Sequence, residues 1–282
     1  MNVFERQYKN VIIYGNNNIN ININIIIYYI IIMESFFNGN NYWFIENNDD
    51  PSVFGCISEI IYNNEYCLEK FSNMETTIID IGANCGVASI ILAKQNPKST
   101  ILSFEPDTKT YNLLIENIRI NSINNIKAYN KAVSLESNKT IRLFLHPNYS
   151  GGNTTCSDDN AFNVFNSTNN HVDFIDVLTI SFDDIITEHN LFSVGLLKID
   201  CEGAEYEIIY GSNCFKEGIV KNLVGEFHKI NYNTKSLNIP HDLFEYCKKY
   251  VIGLKKITVL NLTKELTKEI VEVQNLLEGN YE

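Results

Sequence analysis

Two kinds of apolar pattern alternate along the chain from about Asn40 onward. Short runs rich in Ile, Val and Phe, such as Thr76–Ile81, predict buried strands. Longer stretches with apolar residues three or four positions apart, such as Asp107–Asn121, predict helices that bury one face. Strands that alternate with helices predict an α/β fold, in which a mostly parallel sheet is covered by helices on both faces.

The predicted elements follow one another with short connections and one long polar loop. The strands are predicted at 76–81, 100–104, 126–129, 140–145, 172–179, 194–199, 220–227 and 257–262, and the helices at 86–95, 107–121, 182–188, from 204, at 240–250 and in the tail. The polar loop at 147–170 is a candidate substrate cover, because loops of this length are usually functional or disordered. Ligands of such sheets bind at the carboxyl ends of the strands, where the strand order reverses.

The first 32 residues differ in kind from the rest of the chain. Asn16–Ile32 consists of Asn, Ile and Tyr alone, and its apolar run, Ile25–Met33, is shorter than the roughly 20 residues of a membrane span. We therefore predict a low-complexity tail at 1–32 outside the fold and a single domain at 33–282, with its core at about 50–262.

Charge and cysteine content narrow the classes of partner. A formal net charge of −12 and a pI near 4.9 disfavour nucleic acid and anionic membranes, which basic surfaces attract. The seven cysteines are scattered without a C-x-x-C pair, as is typical of reduced thiols rather than a disulfide frame or a zinc site. We expect a cytoplasmic protein that acts on a small molecule or a neutral polymer.

A glycine-rich turn follows the first buried strand. It reads Asp80-Ile81-Gly82-Ala83-Asn84-Cys85-Gly86, and the free N–H groups of the helix after it face any ligand there. Glu105 ends the next strand about 20 residues later, where an acidic side chain accepts hydrogen bonds from ribose hydroxyls. The turn is neither G-x-G-x-x-G nor a P-loop, but glycines followed by an acid predict a nucleoside-containing cofactor.

Two later strands also end in charged residues. Asp200 and Glu202 follow the strand at 194–199, and Glu226 and His228 end the strand at 220–227, so the four are expected to share one rim of the sheet. His228 is the first candidate for a general base, with Asp200 or Glu202 second. Asp200 and Glu226 could instead hold Mg²⁺, but we predict a site without metal. A purely structural role also stays open, in which Lys198 neutralises a neighbouring carboxylate.

Taken in order, these strings resemble one known family. I-I-D-I-G-A-N-C-G-V, F-E-P, N-K-A-V, L-L-K-I-D-C-E-G-A-E and G-E-F-H resemble the FkbM family of S-adenosylmethionine-dependent methyltransferases over about residues 50–255. The resemblance implies the class I methyltransferase fold, which is Rossmann-like, with a seven-stranded sheet whose last strand runs antiparallel. It also implies S-adenosylmethionine as cofactor and methylation of a hydroxyl group.

The resemblance further implies roles for individual residues. Asp80, Gly82, Asn84 and Gly86 are implied to contact the methionine part and the ribose of the cofactor. Glu105 is implied to bind the ribose hydroxyls, and Asn130–Ala132 to lie along the adenine. Asp200 is implied to face the sulfonium and the substrate. Two alternatives stay open beside O-methylation of a small molecule or glycan. They are a nucleotide-cofactor oxidoreductase on a Rossmann-like sheet and a binding module that keeps the fold without catalysis.

The tail generates a first testable prediction. We expect a chain that begins at Met33 to unfold at nearly the same temperature as the whole chain, because the residues before it lack the pattern of the domain. Thermal unfolding of both chains checks this. A midpoint lowered by more than about 4 °C, which corresponds to roughly 1 kcal/mol or more, would show that the tail stabilises the domain.

Overall fold

The fold comes from a computed structural model that describes residues 32–45, 50–156, 173–228, 230–231, 237–238, 240–251 and 253–259. The strands are β1 (Ile32–Phe37), β2 (Asn40–Ile45), β3 (Thr77–Ile81), β4 (Thr100–Phe104), β5 (Ile126–Tyr129), β6 (Ala132–Ser134), β7 (Thr140–Phe144), β8 (Phe174–Ser181), β9 (Leu196–Ile199), β10 (Asn222–Phe227), β11 (Ile230–Asn231), β12 (Leu237–Asn238) and β13 (Gly253–Val259). The α-helices are α1 (Ser52–Ile57), α2 (Val87–Gln95), α3 (Thr108–Ile120), α4 (Phe182–Glu188), α5 (Glu205–Gly211), α6 (Asn213–Lys216) and α7 (Pro240–Tyr250).

The central sheet has the strand order β13-β10-β9-β3-β4-β5, and all of its neighbouring strands run parallel. The order reverses between β3 and β9, which places a crevice at the carboxyl ends of these two strands. The α/β fold with a mostly parallel sheet is thus confirmed. Seven strands and an antiparallel last strand are not: the described part of this sheet has six strands, and β13 runs parallel to β10.

The predicted strands at 140–145 and 172–179 do not join the central sheet. They form β7 and β8, which pair antiparallel with each other, while β8 also pairs parallel with the short strand β6. Alternating apolar positions identify a strand without identifying its partner, because pairing depends on distant residues. Most of the polar loop at 147–170 lies outside the described residues.

Helices cover both faces of the central sheet. Ile79 and Ile81 of β3 face one apolar cluster, which includes side chains of α4 and α5, and Ile78 faces the other, which includes side chains of α1 and α2. Successive strand residues point to opposite faces, so a strand buried on both sides is apolar at nearly every position. Among the described residues, the helices are too short or too polar to cross a membrane.

A hairpin of β1 and β2 precedes the domain core and is fixed to α3. Two buried asparagines hold the hairpin: Asn117 lies in α3, and Asn121 directly follows it. The backbone N–H of Ile45 donates to Asn117 Oδ1 at 2.8 Å, and that of Trp43 donates to Asn121 Oδ1 at 3.0 Å. Asn117 Nδ2 also donates to the carbonyl of Cys85 at 2.8 Å. The same helix therefore supports both the hairpin and the turn after β3. Ile32, predicted as the last residue of the tail, instead begins β1 and pairs with Ile45, while residues 1–31 lie outside the described part and their assignment to a tail stays a prediction.

The turn after β3 generates the second prediction. Gly82 has a φ of +75°, and a Cβ there would overlap the backbone carbonyl of Asp200. We expect Gly82→Ala to lower the free energy of unfolding by more than about 3 kcal/mol, since it adds this overlap to left-handed strain of about 1–2 kcal/mol.

Gly39→Ala is the matched control in chemical denaturation. Gly39 has a φ of +81° and open space around its Cα, so only the backbone strain of about 1 kcal/mol is expected. Equal losses in the two variants would contradict the close approach of the β3 turn to the end of β9.

Candidate active site

A cavity of about 200 Å³ opens at the carboxyl ends of β3, β4, β9 and β10. The turn after β3 and the residue after β4 form one side, and the loop after β9 and the end of β10 form the other. Segments from outside the central sheet complete the wall, namely α1 with the residues after it and 149–155. The cavity therefore lies where the strand order reverses, as the sequence predicts for a ligand site.

The turn after β3 presents backbone to this cavity. Gly82 and Asn84, at φ +75° and +49°, line it with left-handed backbone, and the amides of Gly82 and Ala83 both donate to the carbonyl of Phe104. Gly86 precedes α2 with a φ of +91°, and a Cβ there would overlap the Leu114 side chain of α3. The glycines thus serve close packing on both sides of the turn.

Glu105 holds two loops together at one side of the cavity. Its Oε2 accepts from the backbone N–H of Asn84 at 2.9 Å and its Oε1 from that of Asp107 at 2.9 Å, while the side chain lines the cavity. Each carboxylate oxygen has two lone pairs, so both retain acceptor capacity. Burial raises the pKa of Glu105 to about 7, against the opposing effect of the two backbone donors.

Asn130 and Ala132 occupy different positions near this side. Ala132 is buried and lines the cavity. The Asn130 amide donates to the carbonyls of Glu105 and Pro106 at 2.9 and 2.8 Å, so that its side chain fixes the loop after β4. Of the segment predicted to lie along an adenine, Ala132 reaches the cavity and Asn130 supports its wall.

Asp80 lies beneath the cavity. Its carboxylate accepts from Ser89 Oγ at 2.6 Å and lies 3.3 Å from Lys198 Nζ, and the residue is fully buried. Lys198 Nζ also donates to the carbonyl of Gly82 at 2.8 Å and lies 3.7 Å from Asp200 Oδ2. Lys198 therefore neutralises neighbouring carboxylates within the site, as considered from the sequence. Asp80 itself does not line the cavity.

The four rim residues predicted from the sequence lie together. Asp200, Glu202 and Glu226 line the cavity, and His228 lies directly behind them. His228 Nε2 is 3.3 Å from Glu202 Oε2 and 3.9 Å from Glu226 Oε2. One ligand atom each from Asp200, Glu226 and His228 can be chosen so that all three lie within 4.8 Å of one another.

A fourth acidic residue orients the imidazole. Glu205, at the start of α5, is fully buried, and its Oε1 lies 3.0 Å from His228 Nδ1 and accepts from the backbone N–H of Cys201 at 3.0 Å. Glu205 belongs to the sequence string that led to Asp200, but helical spacing alone gives no sign that it turns back beneath the rim. It is a site residue that sequence reasoning missed.

Electrostatics within this cluster favour protonated side chains. Burial and the nearby carboxylates raise the pKa of Glu226 to about 9, and burial raises that of Glu202 to about 8 although His228 opposes it. Burial lowers the pKa of His228, but Glu205 and Glu202 outweigh this effect and raise it well above its usual range. These carboxyl groups are crowded, and protonation of some of them relieves the repulsion at the rim.

Two tyrosines in irregular segments and a glutamate in the π-helix Ser58–Tyr62 complete the wall. Tyr66 Oη donates to Asp200 Oδ2 at 2.7 Å and lies 3.4 Å from Glu226 Oε1, so one hydroxyl joins the ends of β9 and β10. Tyr149 and Glu59 also line the cavity. No strand or helix pattern marks these positions in the sequence, and only the packing of the fold brings them to the site.

The sequence of this chain matches one protein family. A family model described as the methyltransferase FkbM domain matches residues 80–266, from the end of β3 to beyond β13. The chain belongs to the FkbM methyltransferase family. It is a methyltransferase by this membership, and the resemblance identified in the sequence is confirmed.

Two proteins named as methyltransferases are similar in sequence to this chain. Methyltransferase 1 of Beauveria bassiana is 26% identical over 177 residues, which cover 60% of this chain and 70% of the relative. Methyltransferase sdnD of Sordaria araneosa is 28% identical over 169 residues, which cover 53% of this chain and 65% of that protein.

Solved structures match a smaller part of this FkbM chain. TYW2 of P. horikoshii in complex with MeSAdo is 20% identical, with a TM-score of 0.26 over 36% of each chain. TYW2 of M. jannaschii in complex with AdoMet is 19% identical, with a TM-score of 0.25 over 34% of this chain and 42% of that one. At such TM-scores no conclusion about this chain follows.

The third prediction concerns the pKa of Glu105. A carboxyl whose pKa rises on folding from its unfolded value of about 4.5 to about 7 binds more protons in the folded state, so its contribution to stability is present below pH 4.5 and is lost as the pH rises through 7. We expect the free energy of unfolding to fall by about 3 kcal/mol over this window on account of Glu105.

Glu105→Gln has no carboxyl to titrate and should show a correspondingly flatter pH profile. Chemical denaturation of both chains between pH 4.5 and 8 measures their free energies of unfolding. The difference between the two profiles isolates Glu105, because the contributions of all groups common to both chains cancel. Parallel profiles would contradict the raised pKa of Glu105.

Proposed function

We propose that this chain transfers a methyl group from S-adenosylmethionine to a hydroxyl group of a small molecule or glycan. The observation that carries the proposal is a single cavity with a buried acid after β4 on one side and an acidic rim after β9 and β10 on the other. Membership of the FkbM family supports methyl transfer, and the two sides provide separate places for a nucleoside and an acceptor.

The residues around the cavity fit the chemical groups of this cofactor. Glu105 retains acceptor capacity for the two ribose hydroxyls, and the backbone of Gly82 and Asn84 allows close approach. Ala132 and Phe104 give an apolar surface for the adenine. When bound, the cofactor supplies a methyl group on a positively charged sulfur, and the carboxylate of Asp200 at the cavity wall favours such a charge.

The acceptor side of the proposal rests on the rim. Methyl transfer to an alcohol needs the hydroxyl held in line with the methyl group and its proton removed. Asp200, Glu202 and Glu226 line the cavity, so we place the acceptor hydroxyl against these carboxylates. His228 lies behind them, within 3.3 Å of Glu202 and 3.9 Å of Glu226, and its contribution is to position the acidic side chains. The first choice of His228 as general base is thus replaced in this proposal by a carboxylate.

The other functions considered from the sequence make different predictions. Family membership removes the support for an oxidoreductase, and a non-catalytic module would bind the cofactor without methylating anything. The net charge of −12 continues to favour acceptors other than nucleic acid. Reduced cytoplasmic thiols remain an expectation from the sequence.

Calorimetry with S-adenosylmethionine and with NAD tests the cofactor directly. We expect S-adenosylmethionine to bind and NAD not to bind. Transfer of a labelled methyl group is then measured over hydroxylated metabolites and glycans, with matched amines as controls. Labelling of amines alone would contradict a hydroxyl acceptor, and cofactor binding without any labelled product would favour the non-catalytic module.

The fourth prediction is that Glu105→Ala binds S-adenosylmethionine more weakly while remaining folded. Each charge-assisted hydrogen bond to a ribose hydroxyl contributes about 1.5–3 kcal/mol at most, so a loss of tenfold or more is expected. Glu116→Ala is the matched control, because Glu116 is an exposed acid of α3 that pairs with Arg119. Unchanged affinity of a folded Glu105→Ala chain would contradict the role of Glu105.

A further inference from the structure

We infer that Asp200, Glu226 and His228 form a binding site for one divalent transition-metal cation, such as Mn²⁺, at the acceptor side of the cavity. Their three ligand atoms lie within 4.8 Å of one another. Two atoms bound to one ion at 2.0–2.4 Å are separated by at most about 4.8 Å, so the three can reach a common ion with small side-chain adjustments.

The imidazole has the environment of a metal ligand. His228 is more than nine-tenths buried, its Nδ1 faces Glu205 Oε1 at 3.0 Å, and its Nε2 has no hydrogen-bond partner among the described residues. A histidine ligand typically donates one ring N–H to a carboxylate, which fixes the ring and directs the other nitrogen at the ion. In this cluster Nε2 is the nitrogen that faces the rim, 3.3 Å from Glu202 Oε2 and 3.9 Å from Glu226 Oε2.

The rim also holds more acidic than basic side chains. The carboxylates of Asp200, Glu202, Glu205 and Glu226 surround it, whereas Lys198 Nζ, 3.7 Å from Asp200, is shared with Asp80. Ionised carboxylates this close together repel one another, and either protonation or a bound cation relieves the repulsion. A divalent ion between Asp200 and Glu226 would relieve this repulsion, and the cavity that both line gives it a path from solvent.

The ligand set indicates which cations fit. Carboxylate oxygens suit Mg²⁺, Ca²⁺ and Mn²⁺, whereas imidazole nitrogen suits Zn²⁺ and other transition metals. The set Asp, Glu, His therefore favours Mn²⁺ or Zn²⁺ over Mg²⁺. This differs from the metal-free site predicted from the sequence, where Asp200 and Glu226 were considered as oxygen ligands alone and His228 as a base.

Mn²⁺ titrated into the untagged full-length chain, without cofactor or acceptor, tests the inference. The signal of free Mn²⁺ in electron paramagnetic resonance should show one bound ion per chain, and the pulsed spectrum should show coupling to a nitrogen. That coupling should disappear in His228→Gln and persist in His189→Gln, because His189 contacts Tyr129 outside the cluster.

Acid variants separate coordination from general attraction of cations. Asp200→Asn and Glu226→Gln should each weaken Mn²⁺ binding by tenfold or more. Glu59→Gln, which removes a cavity carboxylate outside the three ligands, should weaken it less than threefold. Equal losses in Glu59→Gln and Glu226→Gln would overturn the site in favour of nonspecific attraction.

Binding weaker than about 1 mM by the folded wild-type chain, or bound Mn²⁺ without nitrogen coupling, would also overturn it. If a variant does not fold, the presence or absence of nitrogen coupling in the Mn²⁺ spectrum of the wild-type chain decides whether His228 can be a ligand. The result is independent of the proposed function, because a chain that binds Mn²⁺ but never transfers a methyl group would support the site and contradict that function.

Discussion

The site depends on the contacts of one buried cation, the ammonium group of Lys198. It lies between the carboxylates of Asp80 on β3 and Asp200 after β9, at 3.3 and 3.7 Å, and donates to the carbonyl of Gly82 at 2.8 Å. Burial disfavours its charge, but the two carboxylates outweigh this and raise the pKa of Lys198 above its usual value. One cation thus joins the two central strands to the turn between β3 and α2. Removing it would leave the buried carboxylate of Asp80 and the partly buried one of Asp200 without compensation, which is the costly way to break such a group.

Much of the fold and half of the site follow from local sequence. Strands buried on both faces are apolar almost throughout, so the charges that end β9 and β10 stand out, and parallel strands bring their carboxyl ends to one edge. This is why Asp200, Glu202 and Glu226 were expected at one rim and are found there. Glu105 was found by the same reasoning. In each case the prediction needed only the strand boundary and its direction.

The remaining features depend on packing between segments distant in sequence. Tyr66 and Tyr149 reach the cavity from irregular segments, and their positions carry no periodicity from which a contact could be read. Asp80 belongs to the glycine-rich motif at the end of β3, but its side chain points to Lys198 beneath the cavity. Successive strand residues point to opposite sides, so the direction of this side chain depends on the residue at which the strand ends and the turn begins. The pairing of β7 with β8 outside the central sheet has the same origin, because a strand pattern is compatible with several partners.

The unpaired hydrogen-bonding atoms of the rim argue for a functional rather than a structural role of its side chains. Glu205 Oε2 and His228 Nε2 are buried and lack hydrogen-bond partners among the described residues, although Glu205 Oε1 is well satisfied by Cys201 and His228. Leaving such atoms unpaired costs about 1–3 kcal/mol each, and apolar residues of similar size would avoid the cost. The turn after β3 is similarly strained, with Asn84 in the left-handed region. Unpaired buried atoms also occur away from the cavity in the described part of the chain, as at Gln95, whereas those of Glu205 and His228 belong to two side chains that contact each other beneath the rim.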